Sequence, residues 1–213
     1  MLRQNAIGQF GCPRGCPPNP KTHPDNERGL WLLTHERLRH TPRIRAVLDF
    51  LYERLRGYLR DRGYTANQVA AVVDSRPDCI DDLPERLEAV RAFEALPEAL
   101  SLSAANKRIV NILRKAQGEG GGAVDLSVLV DGAERALHAA FDQLRPIVAS
   151  RVADGDFSAA LRALASTKPT VDRFFDDVMV MADDPKIRGN RLALLREVSA
   201  TMNHVADISK LAV

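Results

Sequence analysis

The chain of 213 residues is 45% hydrophobic and 27% charged, enough to bury a core in one large domain or two small ones. Thirteen Gly, twelve Pro and three Cys exclude collagen-like and disulfide-stapled classes, and no apolar run approaches the ~18 residues that a bilayer crossing needs. The net charge of +2 is too small to argue for a polyanionic partner, but it is unevenly spread: residues 1–62 hold twelve basic and six acidic side chains, the remainder eighteen and 22. A basic N-terminal third on a mildly acidic body permits a localised anion-binding face.

Residues 1–10 lack the continuous apolar stretch of a secretory signal, so a reducing cytoplasm is the expected compartment and Cys12, Cys16 and Cys79 are expected to be free thiols. The stretch 11–24 (GCPRGCPPNPKTHP) holds five of the twelve prolines and no periodicity, and reads as an irregular or disordered leader. From Pro42 onward Ala, Leu, Arg and Glu dominate, and apolar residues recur at three and four, which predicts helices throughout.

Ile44, Val47, Leu48, Leu51, Leu55, Tyr58 and Leu59 make one stripe on a helix that should stop near Gly63, with Arg60 and Arg62 favoured in its last turn by the macrodipole. A short helix over 67–73 follows, then Asp82 and Pro84 signal the start of a helix running to about 96, and Pro97 should open the next. In that helix Leu102, Ala105, Ile109, Ile112 and Leu113 share a face. The glycine run at 118–122 is expected to interrupt as a flexible loop.

A long helix is predicted over 127–152, with a kink or a split at Pro146 and an end at Gly155. Asp156 should cap a short helix to 166, Lys168-Pro169 should force a turn, and Val171, Phe174, Phe175 and Val178 begin another apolar stripe. Asp183, Asp184 and Pro185 break it before a last helix carrying Leu192, Leu195, Val198, Met202, Val205 and Ala206, with Ile208 and Leu211 near the terminus. No internal repeat and no strand is predicted.

Cys12, Cys16 and His23, with His35 or His40, offer thiolate and imidazole ligands for zinc, but their spacing fits no compact module and the proline-rich setting gives no partners to orient them. No metal site is therefore expected. A nucleophile–base pairing and a phosphate-cradling loop after a strand are also missing, so catalysis on this chain alone is not expected and no catalytic residue is assigned.

At about 100° per residue, Lys107, Arg108, Asn111, Arg114 and Lys115 fall on one arc, while Ala105, Ile109, Ile112 and Leu113 fall on another. Forked guanidinium donors and an amide on one arc suit phosphate oxygens and base edges. A solvated helix face is the competing reading. Arg45, Arg56 and Arg60 share a flank of the first helix, with Asp49 among them. The spacing of Phe174 and Phe175 with Val171 and Val178 favours core packing over base stacking. Arg188 and Arg191, beside Asn190, are basic where the helix dipole favours acids, which either a partner anion or a solvated end would explain.

Three stretches together carry a resemblance: LPEALSLSAANKRIVNIL (96–113), PTVDRFFDDVMVMADDPKIRGNRLALLREV (169–198) and VADISKL (205–211). They resemble the C-terminal part of the β subunit of bacterial heterotetrameric glycyl-tRNA synthetase, including its all-helical anticodon-binding region, which is similar to that of arginyl-tRNA synthetase. FLYERLRGYLRDRGY (50–64) and DLPERLEAVRAF (82–93) resemble the same subunit in the same order, and the likeness covers 43–213. LRQNAIG (2–8) resembles a helix preceding this region, whereas 11 to about 41 has no counterpart.

The resemblance implies an all-α helical bundle like an anticodon-binding domain behind an irregular leader: 1–42 leader, 43–96 helical segment, 97–213 anticodon-binding-like domain. It further implies a cytoplasmic protein that binds glycine tRNA and partners the α subunit, with no membrane association. Glycine activation, with its ATP and magnesium, belongs to that separate α subunit, and no cofactor is expected on this chain. Candidate RNA contacts are Lys107, Arg108, Asn111, Arg114 and Lys115, then Arg188 and Arg191. Because the family's β subunit is several times longer, the chain is expected to be a fragment or the product of a gene with a disrupted upstream frame. The alternative to a tRNA-binding role is a helical protein-interaction module without RNA binding.

Overall fold

A computed structural model describes residues 41–77, 80–116 and 122–212. The leader cysteines, Cys79, His23, His35, His40 and most of the glycine run therefore lie outside the described residues. The chain divides into two units, up to Leu48 and from Asp49 onward. The described residues form eight α-helices: α1 (Pro42–Asp61), α2 (Ala66–Val73), α3 (Leu83–Glu94), α4 (Ala99–Lys115), α5 (Gly132–Ala153), α6 (Phe157–Ala165), α7 (Lys168–Asp177) and α8 (Pro185–Met202). Two 3₁₀ turns, Leu126–Val128 and Ile208–Leu211, complete them, and no strand occurs among the described residues.

Local chemistry sets most of these boundaries. Gly63 takes φ +91° after α1, its N–H reaching the Arg60 carbonyl at 2.9 Å and that of Tyr64 reaching the Leu59 carbonyl at 3.4 Å. Gly155 repeats this paired closure after α5 at φ +75°, with Asp156 donating to the Arg151 carbonyl at 2.8 Å. Thr65 and Gln68 cap α2 reciprocally, as Asp131 and Glu134 cap α5, while Asp156 and Asp184 accept first-turn N–H groups of α6 and α8.

The expected first stripe is only partly buried: Leu59 is core and Leu55 packs against it, but Val47 and Tyr58 are exposed. Pro97 stands in a turn and α4 begins at Ala99. The helix expected over 127–152 starts instead at Gly132, because Asp125 accepts the Ser127 N–H to close the first 3₁₀ turn and Asp131 then caps a fresh start. Nor does Pro146 split α5. It lies on the exposed side, whereas Phe141, Leu144 and Val148 are buried on the other, so core packing offsets the ~3 kcal/mol that an interior proline costs. Lys168-Pro169 opens α7 rather than merely turning the chain, since proline suits a first helical turn.

In the second unit α8 is buried along most of its circumference from Asn190 to Leu195, which makes it the central helix and not a one-striped surface helix. It packs against α4 and α5, while α5 also meets α6 and α7, and α3 meets α6. The C-terminal 3₁₀ turn closes against α2 and α4, tied by an Asp207 N–H to the Ala71 carbonyl at 2.8 Å. Arg86 of α3 lies 4.4 Å over the Phe157 ring and donates to the Val205 carbonyl at 2.6 Å, linking three elements with one side chain.

Candidate nucleic-acid interface

Helix α4 is amphipathic with an unusual polar half: seventeen residues carry two lysines, two arginines and no carboxylate. Leu102 and Ile109 are fully buried, and Ala105, Ile112 and Leu113 pack against the core. Their burial fixes the rotation of the helix. Lys107, Arg108, Asn111, Arg114 and Lys115 are consequently all exposed.

The arc lies between the C-terminal turn and α7. On one flank, Lys107 donates from Nζ to the Ala212 carbonyl at 3.1 Å. On the other, the Arg108 guanidinium lies 4.3 Å over the ring of Phe175. Between them Arg114 donates to Asn111 Oδ1 at 3.1 Å. Among the described residues none of the four cations has a carboxylate within ion-pairing distance, in contrast to Arg56, Arg76, Arg145, Arg173 and Lys168 elsewhere. The positive field of this face is thus not cancelled locally.

The basic flank of α1 is different. Arg56 is shared between Glu53 and Asp74, the latter at 2.5 Å, and this bonding to Asp74 holds its guanidinium in the charged form more firmly than usual. Asp49 pairs with Arg76 at 2.5 Å and not with its neighbours on the helix. Arg56 and Asp49 on that flank are thus paired, whereas Arg45 and Arg60 have no carboxylate partner among the described residues.

Arg191 is nearly buried, paired with the fully buried Glu134 and donating to the Met179 carbonyl at 2.7 Å. Glu134 uses its second oxygen on the Asp131 N–H at 3.0 Å, so one carboxylate both caps α5 and holds α8. An internal anion therefore accounts for Arg191 at the basic start of α8. Arg188, half-buried, donates to the Ala182 and Asp183 carbonyls at 2.9 and 3.4 Å. Together they clamp the backbone of the segment between α7 and α8. In that segment Val178 and Val180 are buried and Met179 and Met181 are exposed. Asn190 pairs through both amide atoms with the backbone of Asp125, at 2.7 and 3.0 Å.

Phe174 is fully buried, as its spacing predicts, but Phe175 is half-buried and supports Arg108. Its role beneath a cation was not readable from spacing, because the contact joins two helices distant in sequence. Among the described residues no group of three or more His, Cys, Asp or Glu side chains is arranged to hold a metal ion, and none of the helices is long and apolar enough to cross a membrane.

Residues 102–211, more than half of the chain, match the DALR anticodon binding domain family. The chain belongs to that family. The match runs from the buried Leu102 of α4 through the C-terminal turn, so it contains the whole cationic arc and the Arg108–Phe175 contact. Similar curated proteins include the glycine–tRNA ligase beta subunits of Thiobacillus denitrificans, 56% identical over 166 residues, and Ralstonia nicotianae, 57% identical over 171 residues. These alignments cover 78% and 80% of this chain and 24% of each relative. The beta subunit of Methylobacillus flagellatus is 46% identical over 186 residues, 87% of this chain and 26% of the relative. The chain thus spans about a quarter of the length of the curated relatives it matches.

Proposed function

We propose that the chain binds the anticodon arm of glycine tRNA and so serves glycyl-tRNA formation as part of a glycine–tRNA ligase beta subunit. The observation that carries this reading is the acid-free outer face of α4, where Lys107, Arg108, Arg114 and Lys115 stand exposed and without carboxylate partners among the described residues. Four uncompensated cations on one arc attract a phosphate backbone, and Asn111 among them presents an amide suited to base edges. Arg188 and Arg191 act in this reading by positioning the segment between α7 and α8, not as direct contacts. The anticodon binding domain family and the glycine–tRNA ligase beta subunit relatives support the same assignment.

Glycine activation with ATP and magnesium belongs in this reading to a separate α subunit in the cytoplasm. The test is a titration of the chain with two halves of glycine tRNA, an anticodon stem-loop and an acceptor-stem minihelix, at several salt concentrations. The stem-loop binds more tightly, with log affinity falling steeply with log salt. Equal, salt-insensitive or absent binding of the two halves contradicts the reading, and capture of a protein partner through a salt-insensitive face would favour a helical interaction module.

A further inference from the structure

We propose that Arg108 and Phe175 form a stacking platform for one unpaired nucleobase, an inference that rests on the RNA-binding reading above and assigns Arg108 a role beyond its charge. The Phe175 ring is fixed from below: it meets Phe174 edge to face, with centroids 5.4 Å apart and planes at 77°, and Phe174 is fully buried. The guanidinium of Arg108 lies over that ring at 4.3 Å, a close cation–π contact that holds a long side chain in one place. Arg108 is nonetheless exposed, and among the described residues it has neither a carboxylate nor a carbonyl partner. A guanidinium held over an aromatic ring with no internal hydrogen bond keeps its solvent side and its N–H groups available.

Arg54 over Phe50 at 5.6 Å and Arg62 over Tyr58 at 4.9 Å are longer contacts between residues four apart, and two arginines that reach a ring on a separate element are committed differently. Arg86 over Phe157 spends its donors on the Val205 carbonyl, and Arg76 over Tyr52 is paired with Asp49. A planar π-surface with attached negative charge matches both the face and the edge that Arg108 offers, and an unpaired nucleotide supplies both: the base layers on the guanidinium while its phosphate takes the N–H edge or Lys115, seven residues on along the same line of α4. Ser101 of α4 bonds Asp172 of α7 at 3.0 Å, and Arg108, two turns on along α4, covers Phe175 on the same flank. The platform therefore lies where the exposed Asn111 and Lys115 continue the arc.

The experiment pairs a protein change with an RNA change. Abasic nucleotides, which keep the phosphate and remove the base, are placed one at a time in the loop of the glycine anticodon stem-loop. Each RNA is titrated against the wild-type chain and against Arg108→Lys, with circular dichroism as the folding control. Lysine keeps the charge and loses the flat face. At one loop position the abasic change weakens wild-type binding about five- to hundredfold, the range for a stacked base, yet has no further effect on Arg108→Lys, and the salt slope is the same for both proteins. Phe175→Leu, which removes the support, shows the same coupling to that position. If the wild-type chain binds the stem-loop with a steep salt slope but no position couples to Arg108, the platform is overturned and the RNA-binding reading stands. If the wild-type chain does not bind the stem-loop, both fall.

Discussion

Glu134 joins two jobs that a single substitution can separate. Glutamine at this position can still accept the Asp131 N–H and keep the cap on α5, but it cannot neutralise Arg191, whose guanidinium is nearly as buried as the carboxylate. Glu134→Gln is therefore expected to cost about 3–5 kcal/mol, the penalty of leaving one member of a buried pair uncompensated. Replacing both partners by leucine and methionine should recover most of it. Urea unfolding of the three proteins checks this, and a loss below about 1 kcal/mol for the single variant, the scale of an exposed pair, would contradict it. The pair was not legible in the sequence: Arg191 read as a basic anomaly and nothing singled out Glu134, because their contact spans 57 positions.

At the level of elements, what could be read depended on how local the cause was. The ends of α1 and α5 at Gly63 and Gly155, the cap at Asp156 and the break at Asp183–Pro185 are settled within a few residues, so the sequence displays them. Pro146 misleads because its cost is local whereas its compensation, the packing of Phe141, Leu144 and Val148, is not. Gly155 provides a quantitative test. An added methyl group there meets nothing within 4 Å, so any penalty for Gly155→Ala comes from its φ of +75° alone. Thermal or urea unfolding should show a loss of about 1–2 kcal/mol. Gly132→Ala, equally open but without a positive φ, should be neutral or stabilising by up to about 1 kcal/mol. Equal effects at the two glycines would show that the left-handed closure does not govern the end of α5.

For the whole molecule, the candidate interface was legible where one helix carries it and illegible where two helices meet. The wheel of α4 separates its exposed cations from its buried leucine and isoleucine without any knowledge of the fold. The support of Arg108 by Phe175, and the inward commitment of Arg191, required the packing of α7 and α8. Global stability should also carry a pH signature from His204, an exposed side chain whose pKa is lowered by local loss of solvation and by the nearby Arg86 charge. The unfolded chain then binds the proton more readily, so this contribution is complete above about pH 6.5 and is lost as the pH falls through the lower folded value. Melting temperatures measured across pH 5 to 8 should drop less on acidification in His204→Gln than in the wild-type chain, and parallel curves would contradict the assignment.

If the acid-free face of α4 neutralises phosphates, the salt dependence of binding measures it directly. In a variant with Lys107, Arg114 and Lys115 all changed to Gln, folding should be little affected, because exposed substitutions typically cost within about 0.5 kcal/mol each. Its binding to glycine tRNA should weaken, and the log–log slope of affinity against salt should become shallower by about two to three units, at roughly 0.7 to 0.9 for each lost phosphate contact. A folded triple variant with unchanged affinity and unchanged slope would show that this face is merely solvated.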